Sequence, residues 1–168
     1  VNYDVTINPL PVVAVITGTN NACVGKTTQL ANATAGSYTP MTLPANTAVN
    51  NTGLVAGVTA DPVTLSYTVT NGTGCETKVD YAVTINPLPV VAVITGTNNA
   101  CIGKTTQLAN ATAGGVWSSS AVGIATVSNT GLVTGVTAGP VTISYTVTNG
   151  TGCETKVDYA VTINPLPV

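Results

Sequence analysis

Three near-identical copies of one twelve-residue segment set the organisation of this chain. The copies occupy residues 1–12, 79–90 and 157–168. Equivalent positions lie 78 residues apart, as Tyr3, Tyr81 and Tyr159 illustrate. A fixed spacing is typical of tandem arrays, in which each repeat is one structural unit. The sequence therefore predicts an array with a 78-residue period.

Each copy of the segment has the pattern of a β-strand followed by a stiff linker. In residues 79–86, Val, Tyr and Ile alternate with Asp, Ala and Thr, which is typical of a half-buried strand. The next residues, Pro87, Leu88 and Pro89, end the strand because proline cannot donate a ladder hydrogen bond and keeps its predecessor extended. We expect the last strand of one domain and then a linker into the next.

The domain boundaries follow from this pattern. We expect residues 1–11 to be the last strand and linker of a preceding repeat, 12–89 to be repeat one, and 90–168 to be repeat two with the start of another linker. The surplus first strand has two interpretations. It either donates itself to a domain of another subunit or marks the chain as a window on a longer array. The second is favoured, because both repeats already own a last strand.

Composition excludes several classes of function. Charged residues make up 6% of the chain and the net charge is -2, so we expect no nucleic-acid partner. No apolar run is long enough for membrane insertion. The absence of histidine rules out a Ser-His-Asp triad, and residues 24–28 match only the end of a phosphate-binding loop. We expect no enzyme activity, no cofactor and no metal site.

Repeat two has the strand pattern of an all-β domain. Seven short strands are predicted, at residues 90–95, 104–112, 116–119, 124–128, 132–136, 141–149 and 155–164. Tight turns rich in Asn and Gly separate several of them. Seven strands in about 78 residues fit an Ig-like β-sandwich. We expect Trp117, Tyr67 and Tyr145 in the cores.

Three stretches of repeat two resemble bacterial Ig-like domains of group 2, the module of invasin- and intimin-like adhesins and large surface repeat proteins. They are residues 103–108 (GKTTQL), 117–119 (WSS) and 125–136 (ATVSNTGLVTGV). The resemblance implies tandem Ig-like sandwiches in an extracellular stalk or adhesin. It implies no catalytic residues.

Repeat one departs from repeat two in one segment. Of 17 differences between residues 12–89 and 90–167, 13 fall within 37–50, where Thr39 aligns with Trp117. Neutral drift is one explanation, with Tyr38, Met41 or Leu43 refilling the core. Alternatively, residues 37–50 form a contact loop in which these same side chains face a ligand or a neighbour.

Four cysteines at repeating positions, without histidine, predict disulfides and hence an exported protein. Two pairings remain open. The first joins Cys23 to Cys75 and Cys101 to Cys153, within each repeat. The second joins Cys23 to Cys153 across repeats, because the loops that hold Cys23 and Cys75 should lie at opposite ends of a domain, roughly 20–30 Å apart.

The sequence thus predicts a structural repeat of an extracellular stalk or filament on a bacterial cell surface. Its partners would be neighbouring Ig-like repeats of the same protein, in a homopolymer or a long tandem array. The alternative is an adhesin module that recognises a surface glycan or protein through residues 37–50.

Overall fold

The computed structural model describes residues 3–40 and 47–167. The chain divides into two compact units with a boundary between Pro87 and Leu88. The described residues form strands, turns and extended segments, so the predicted all-β Ig-like fold is confirmed. No helix in this part of the chain is long and apolar enough to cross a membrane.

Repeat one packs two four-stranded sheets. Its strands are β1 (Thr17–Gly18), β2 (Asn21–Cys23), β3 (Thr27–Ala31), β4 (Ser37–Pro40), β5 (Thr47–Val49), β6 (Leu54–Gly57), β7 (Pro62–Thr70) and β8 (Glu76–Asn86). One sheet has the order β1-β3-β6-β5 and the other β2-β8-β7-β4. Strands β7 and β8 form the longest antiparallel pair, and β2 runs parallel to the end of β8.

Repeat two has the same arrangement. Its strands are β9 (Thr95–Gly96), β10 (Asn99–Cys101), β11 (Thr105–Ala109), β12 (Val116–Ser119), β13 (Ala125–Val127), β14 (Leu132–Gly135), β15 (Gly139–Thr148) and β16 (Glu154–Asn164). The sheets have the orders β9-β11-β14-β13 and β10-β16-β15-β12.

The facing surfaces of the two sheets make the core of each repeat. Alternation along the strands places every second side chain inward, as in β11, where Thr106 and Leu108 are buried and their neighbours exposed. Leu108 and Val133, on adjacent strands of one sheet, are both fully buried. Opposite them, Ile143 and Val161 close the core from the second sheet.

The first predicted strand differs from the structure. Residues 90–94 are extended but belong to no sheet, and β9 begins only at Thr95. Side chains replace the backbone ladder here, because Asn110 Nδ2 donates to the Ala92 carbonyl at 2.7 Å and Ala92 N donates to Thr112 Oγ1 at 2.9 Å. The predicted loop after it contains a further short strand, β10.

Residues 3–8 lie outside every described strand. Their apolar side chains are exposed, with Val5 at 79% and Ile7 at 87%. The equivalent residues of β8, Val83 and Ile85, are 0% and 2% exposed. The same strand sequence is therefore buried in one copy and uncovered in the other.

Candidate functional site

The first cysteine of each repeat lies where the chain leaves the domain. The parallel pairing of β2 with β8 sets Cys23 opposite Asn86, the last residue of the last strand. Val24 N donates to the Asn86 carbonyl at 3.0 Å and extends this pairing by one bond. In repeat two, Cys101 has the same position opposite Asn164.

The second cysteine of each repeat is held by an asparagine-centred turn. Asn71 Oδ1 accepts hydrogen bonds from Thr73 N at 3.1 Å, Thr73 Oγ1 at 2.7 Å and Cys75 N at 2.9 Å. Gly74, at φ +81°, supplies the left-handed residue that lets the turn close. Asn149 holds Cys153 with the same three bonds, so both cysteines are rigidly positioned.

In repeat one this turn also touches the linker that enters the domain. Asn71 Nδ2 donates to the Pro9 carbonyl at 2.9 Å. Cys75 Sγ lies 4.0 Å from the carbonyl oxygen of Asn8. The linker residues Asn8 and Pro9 therefore mark the entry end of the domain, and Cys75 lies beside them.

The two cysteines of one repeat are a full strand apart. Cys75 immediately precedes β8, and Cys23 pairs with its last residue, Asn86. An eleven-residue strand spans roughly 33 Å at ~3.3 Å per residue, whereas bridged Cα atoms lie within about 7 Å. No within-repeat bridge can form across that length.

The oxidation states agree with this geometry. Cys23 and Cys153 are disulfide-bonded in the structure, whereas Cys75 and Cys101 are free thiols. Neither within-repeat bridge is therefore present, since each would need one of the two free thiols. The prediction of a disulfide is confirmed, and the within-repeat pairing is wrong.

The expected core aromatics lie in equivalent sheets of the two repeats, Tyr67 in the sheet that contains β2 and the other two in the sheet that contains β10. Tyr67 and Tyr145 are buried, and the half-buried Trp117 packs on Tyr145 with ring centroids 4.7 Å apart. Tyr145 Oη donates to the Thr112 carbonyl at 2.8 Å and accepts from Gly115 N at 2.8 Å. Tyr67 Oη likewise donates to the Thr34 carbonyl.

Tyr38 fills the place of the missing tryptophan. It pairs with Tyr67 in the register in which Trp117 pairs with Tyr145, and the tyrosine rings are 4.5 Å apart. Repeat one reaches this register one residue earlier, so straight alignment wrongly placed Thr39 opposite Trp117. Tyr38 is 7% exposed, which contradicts its proposed role as a contact residue. Met41 and Leu43 lie outside the described residues.

A comparison with protein families identifies the module. Residues 82–157 match the model described as bacterial Ig-like domain (group 2). The match covers 76 of the 168 residues, and it agrees with the family expected from the sequence. A comparison with curated proteins gives no match.

Several solved structures resemble the chain. Domains 4 and 5 of the S-layer protein SbsC share 15% identity with it, at a TM-score of 0.39 over 92% of this chain and 99% of that one. A C-terminal intimin fragment, solved with the intimin-binding domain of the translocated intimin receptor, shares 14% identity at a TM-score of 0.41. That match covers 92% of this chain and 65% of the fragment.

Removal of a tyrosine hydroxyl should affect the free energy of unfolding differently in the two Ig-like repeats. Tyr38 Oη is buried without a hydrogen-bond partner among the described residues, and this burial, followed by the nearby Tyr67, raises its pKa. We expect Tyr38→Phe to leave the free energy of unfolding unchanged or to raise it by up to about 1 kcal/mol. Tyr145→Phe, which loses two hydrogen bonds, should lower that free energy by about 1–3 kcal/mol.

Urea unfolding of both variants, followed by circular dichroism, measures the difference. Tyr67→Phe is the matched control within repeat one, because its hydroxyl is bonded. Equal losses for Tyr38→Phe and Tyr67→Phe would contradict the assignment of an unsatisfied hydroxyl to Tyr38.

Asp158 is held by its neighbours in the sheet. Ser144 Oγ donates to Asp158 Oδ1 at 2.7 Å, and Lys156 Nζ lies 3.2 Å from the same oxygen. The serine hydrogen bond, with a smaller contribution from Lys156, lowers the pKa of Asp158. The Asp158 and Lys156 side chains are 55% and 56% exposed, as expected of a solvated pair on a strand.

The segment that resembles a phosphate-binding loop has its backbone donors occupied. Gly25 N donates to the Gly57 carbonyl and Lys26 N to the Cys23 carbonyl, each at 2.9 Å. The segment leads into β3 rather than into a helix, whose N-terminal amides would face a phosphate. Within the described residues, no cluster of three or more His, Cys, Asp or Glu side chains is arranged to hold a metal.

Asn71 and Asn149 are the site residues that sequence reasoning missed. Both belong to an Asn-Gly-Thr-Gly-Cys stretch that lies just before the last strand of a repeat. The signal was an asparagine two residues before a threonine, a pattern that favours a side-chain-capped turn. In these Ig-like domains the asparagine fixes the cysteine instead.

Proposed function

We propose that this chain is a structural segment of an extracellular bacterial stalk or filament built from tandem Ig-like repeats. The observation that carries the proposal is the path of the chain through repeat one. The chain enters beside the turn of Asn71, through Pro9, and leaves at Asn86 beside Cys23, at the far end of β8. Domains with entry and exit at opposite ends join in series without a separate binding surface.

Three further features support this assignment. Proline-containing linkers restrict the backbone between repeats and favour an extended spacing. The disulfide is typical of an exported protein. We assign residues 1–11 to a strand and linker of the same kind as 79–89, since the uncovered Val5 and Ile7 correspond to core residues of β8.

Antibody labelling of intact native cells tests the proposal. We expect gold-labelled antibodies against the chain to mark thin extracellular fibres in electron micrographs, at regular intervals along the fibre. Label confined to the cell interior, or to compact particles without fibres, would reject the stalk.

The adhesin alternative makes a different prediction. In that case the chain binds a cell-surface glycan or protein saturably, and grafting the sequence of residues 113–129 into 35–51 abolishes the binding. A stalk segment shows no binding that depends on this graft. Burial of Tyr38 weighs against the adhesin, because its ring packs inward on Tyr67.

A further inference from the structure

We infer that a disulfide bridges consecutive repeats across each linker. It joins the cysteine at the position of Cys23 to the cysteine at the position of Cys75 in the following repeat. In this chain the two partners are Cys23 and Cys153. The inference rests on the proposed serial order of repeats and adds a specific covalent clamp to it.

Each kind of cysteine lies beside an asparagine of a linker. Cys23 lies opposite Asn86 where the chain leaves repeat one, in a parallel pairing that continues through Val24. Cys75 lies 4.0 Å from the Asn8 carbonyl, where the chain enters that repeat. Asn8 and Asn86 are equivalent residues, 78 positions apart.

If both contacts are made at the same linker, two cysteines meet at one asparagine. At Asn86 these are Cys23, from the repeat that the chain leaves, and Cys153, which is the equivalent of Cys75 in the repeat that the chain enters. Both are disulfide-bonded in the structure. The hydrogen bonds of Asn149 hold the turn of Cys153 in the shape that brings Cys75 to Asn8 in repeat one.

The same rule accounts for the two free thiols. By this rule Cys75 pairs with a cysteine of a repeat before repeat one, and Cys101 pairs with a cysteine of a repeat after repeat two. An array therefore carries one such bond at every linker. The clamp makes neighbouring repeats covalently dependent on one another without any bond inside a domain.

The bond forms by thiol–disulfide exchange with an oxidised disulfide, such as oxidised glutathione or a disulfide oxidoreductase. The Cys23 and Cys153 thiols each lose a proton, and together they give two electrons to this oxidant. The sulfur–sulfur bond of the oxidant breaks, and its two sulfur atoms take up the two protons and leave as thiols, so atoms and electrons balance.

Non-reducing peptide mapping tests the inference directly. The four lysines, with no arginine, let trypsin place every cysteine on its own peptide: 1–26, 27–78, 79–104 and 105–156. After free thiols are alkylated, we expect the monomeric chain to yield peptide 1–26 linked to 105–156, with peptides 27–78 and 79–104 alkylated. A link from 1–26 to 27–78, or no link from 1–26, overturns the inference.

Single serine variants provide matched controls. Cys75→Ser and Cys101→Ser should retain the link between 1–26 and 105–156, whereas Cys153→Ser should abolish it. Loss of the link in Cys75→Ser would overturn the clamp. The result is independent of cellular location, so a mapped link with intracellular labelling would reject the stalk while retaining the clamp.

Discussion

Pulled by handles on its first and last residues, the oxidised chain should extend to only about 130 Å, against about 600 Å after reduction. A bond between Cys23 and Cys153 leaves only residues 1–22 and 154–168 free to lengthen, at up to ~3.6 Å per residue. Everything between the two cysteines is shielded from the force, because the bond carries the load. Single-molecule force spectroscopy measures the fully extended length of the oxidised chain and that of the reduced chain.

The same measurement distinguishes the bond between Cys23 and Cys153 from the within-repeat pairing. Bonds within each repeat would also leave residues 76–100 free, which raises the oxidised limit to about 220 Å. Cys101→Ser is the matched control, since it removes a cysteine without touching the clamp and should keep the limit at about 130 Å. An oxidised limit near that of the reduced chain would show that no shielding bond exists.

Leu108→Ala should lower the free energy of unfolding of repeat two by about 2–5 kcal/mol. Leu108 is 0% exposed, and the surrounding structure relaxes only partly around the space that the missing atoms leave. Trp117 is the single tryptophan of the chain and packs on Tyr145 in repeat two. Its fluorescence during urea unfolding therefore reports the stability of that repeat.

Leu132→Ala is the control for this substitution. Leu132 lies on β14, next to β11, but its side chain is 39% exposed, so its truncation should cost less than about 1 kcal/mol. Similar shifts for the two variants would contradict the placement of Leu108 at the centre of the core.

Much of the fold was predictable because the long strands carry a strong alternating pattern. β16 was expected at residues 155–164 and is found at Glu154–Asn164, and β12 was expected with its observed bounds. The short strand β10 was not predictable, since its three residues pair only with the distant end of β16. The register shift that brings Tyr38 onto Tyr67 was equally invisible to an alignment without gaps.

The sequence by itself determined the period, the all-β class, the family of residues 82–157 and the presence of a disulfide. These properties follow from local patterns and from cysteine positions that recur along the chain. Only the tertiary structure decided against the within-repeat pairing, by placing Cys23 and Cys75 at opposite ends of one domain, and only it showed that Asn71 holds Cys75. Those facts depend on which strands pair and in which direction, and strand pairing is a contact between residues far apart in sequence.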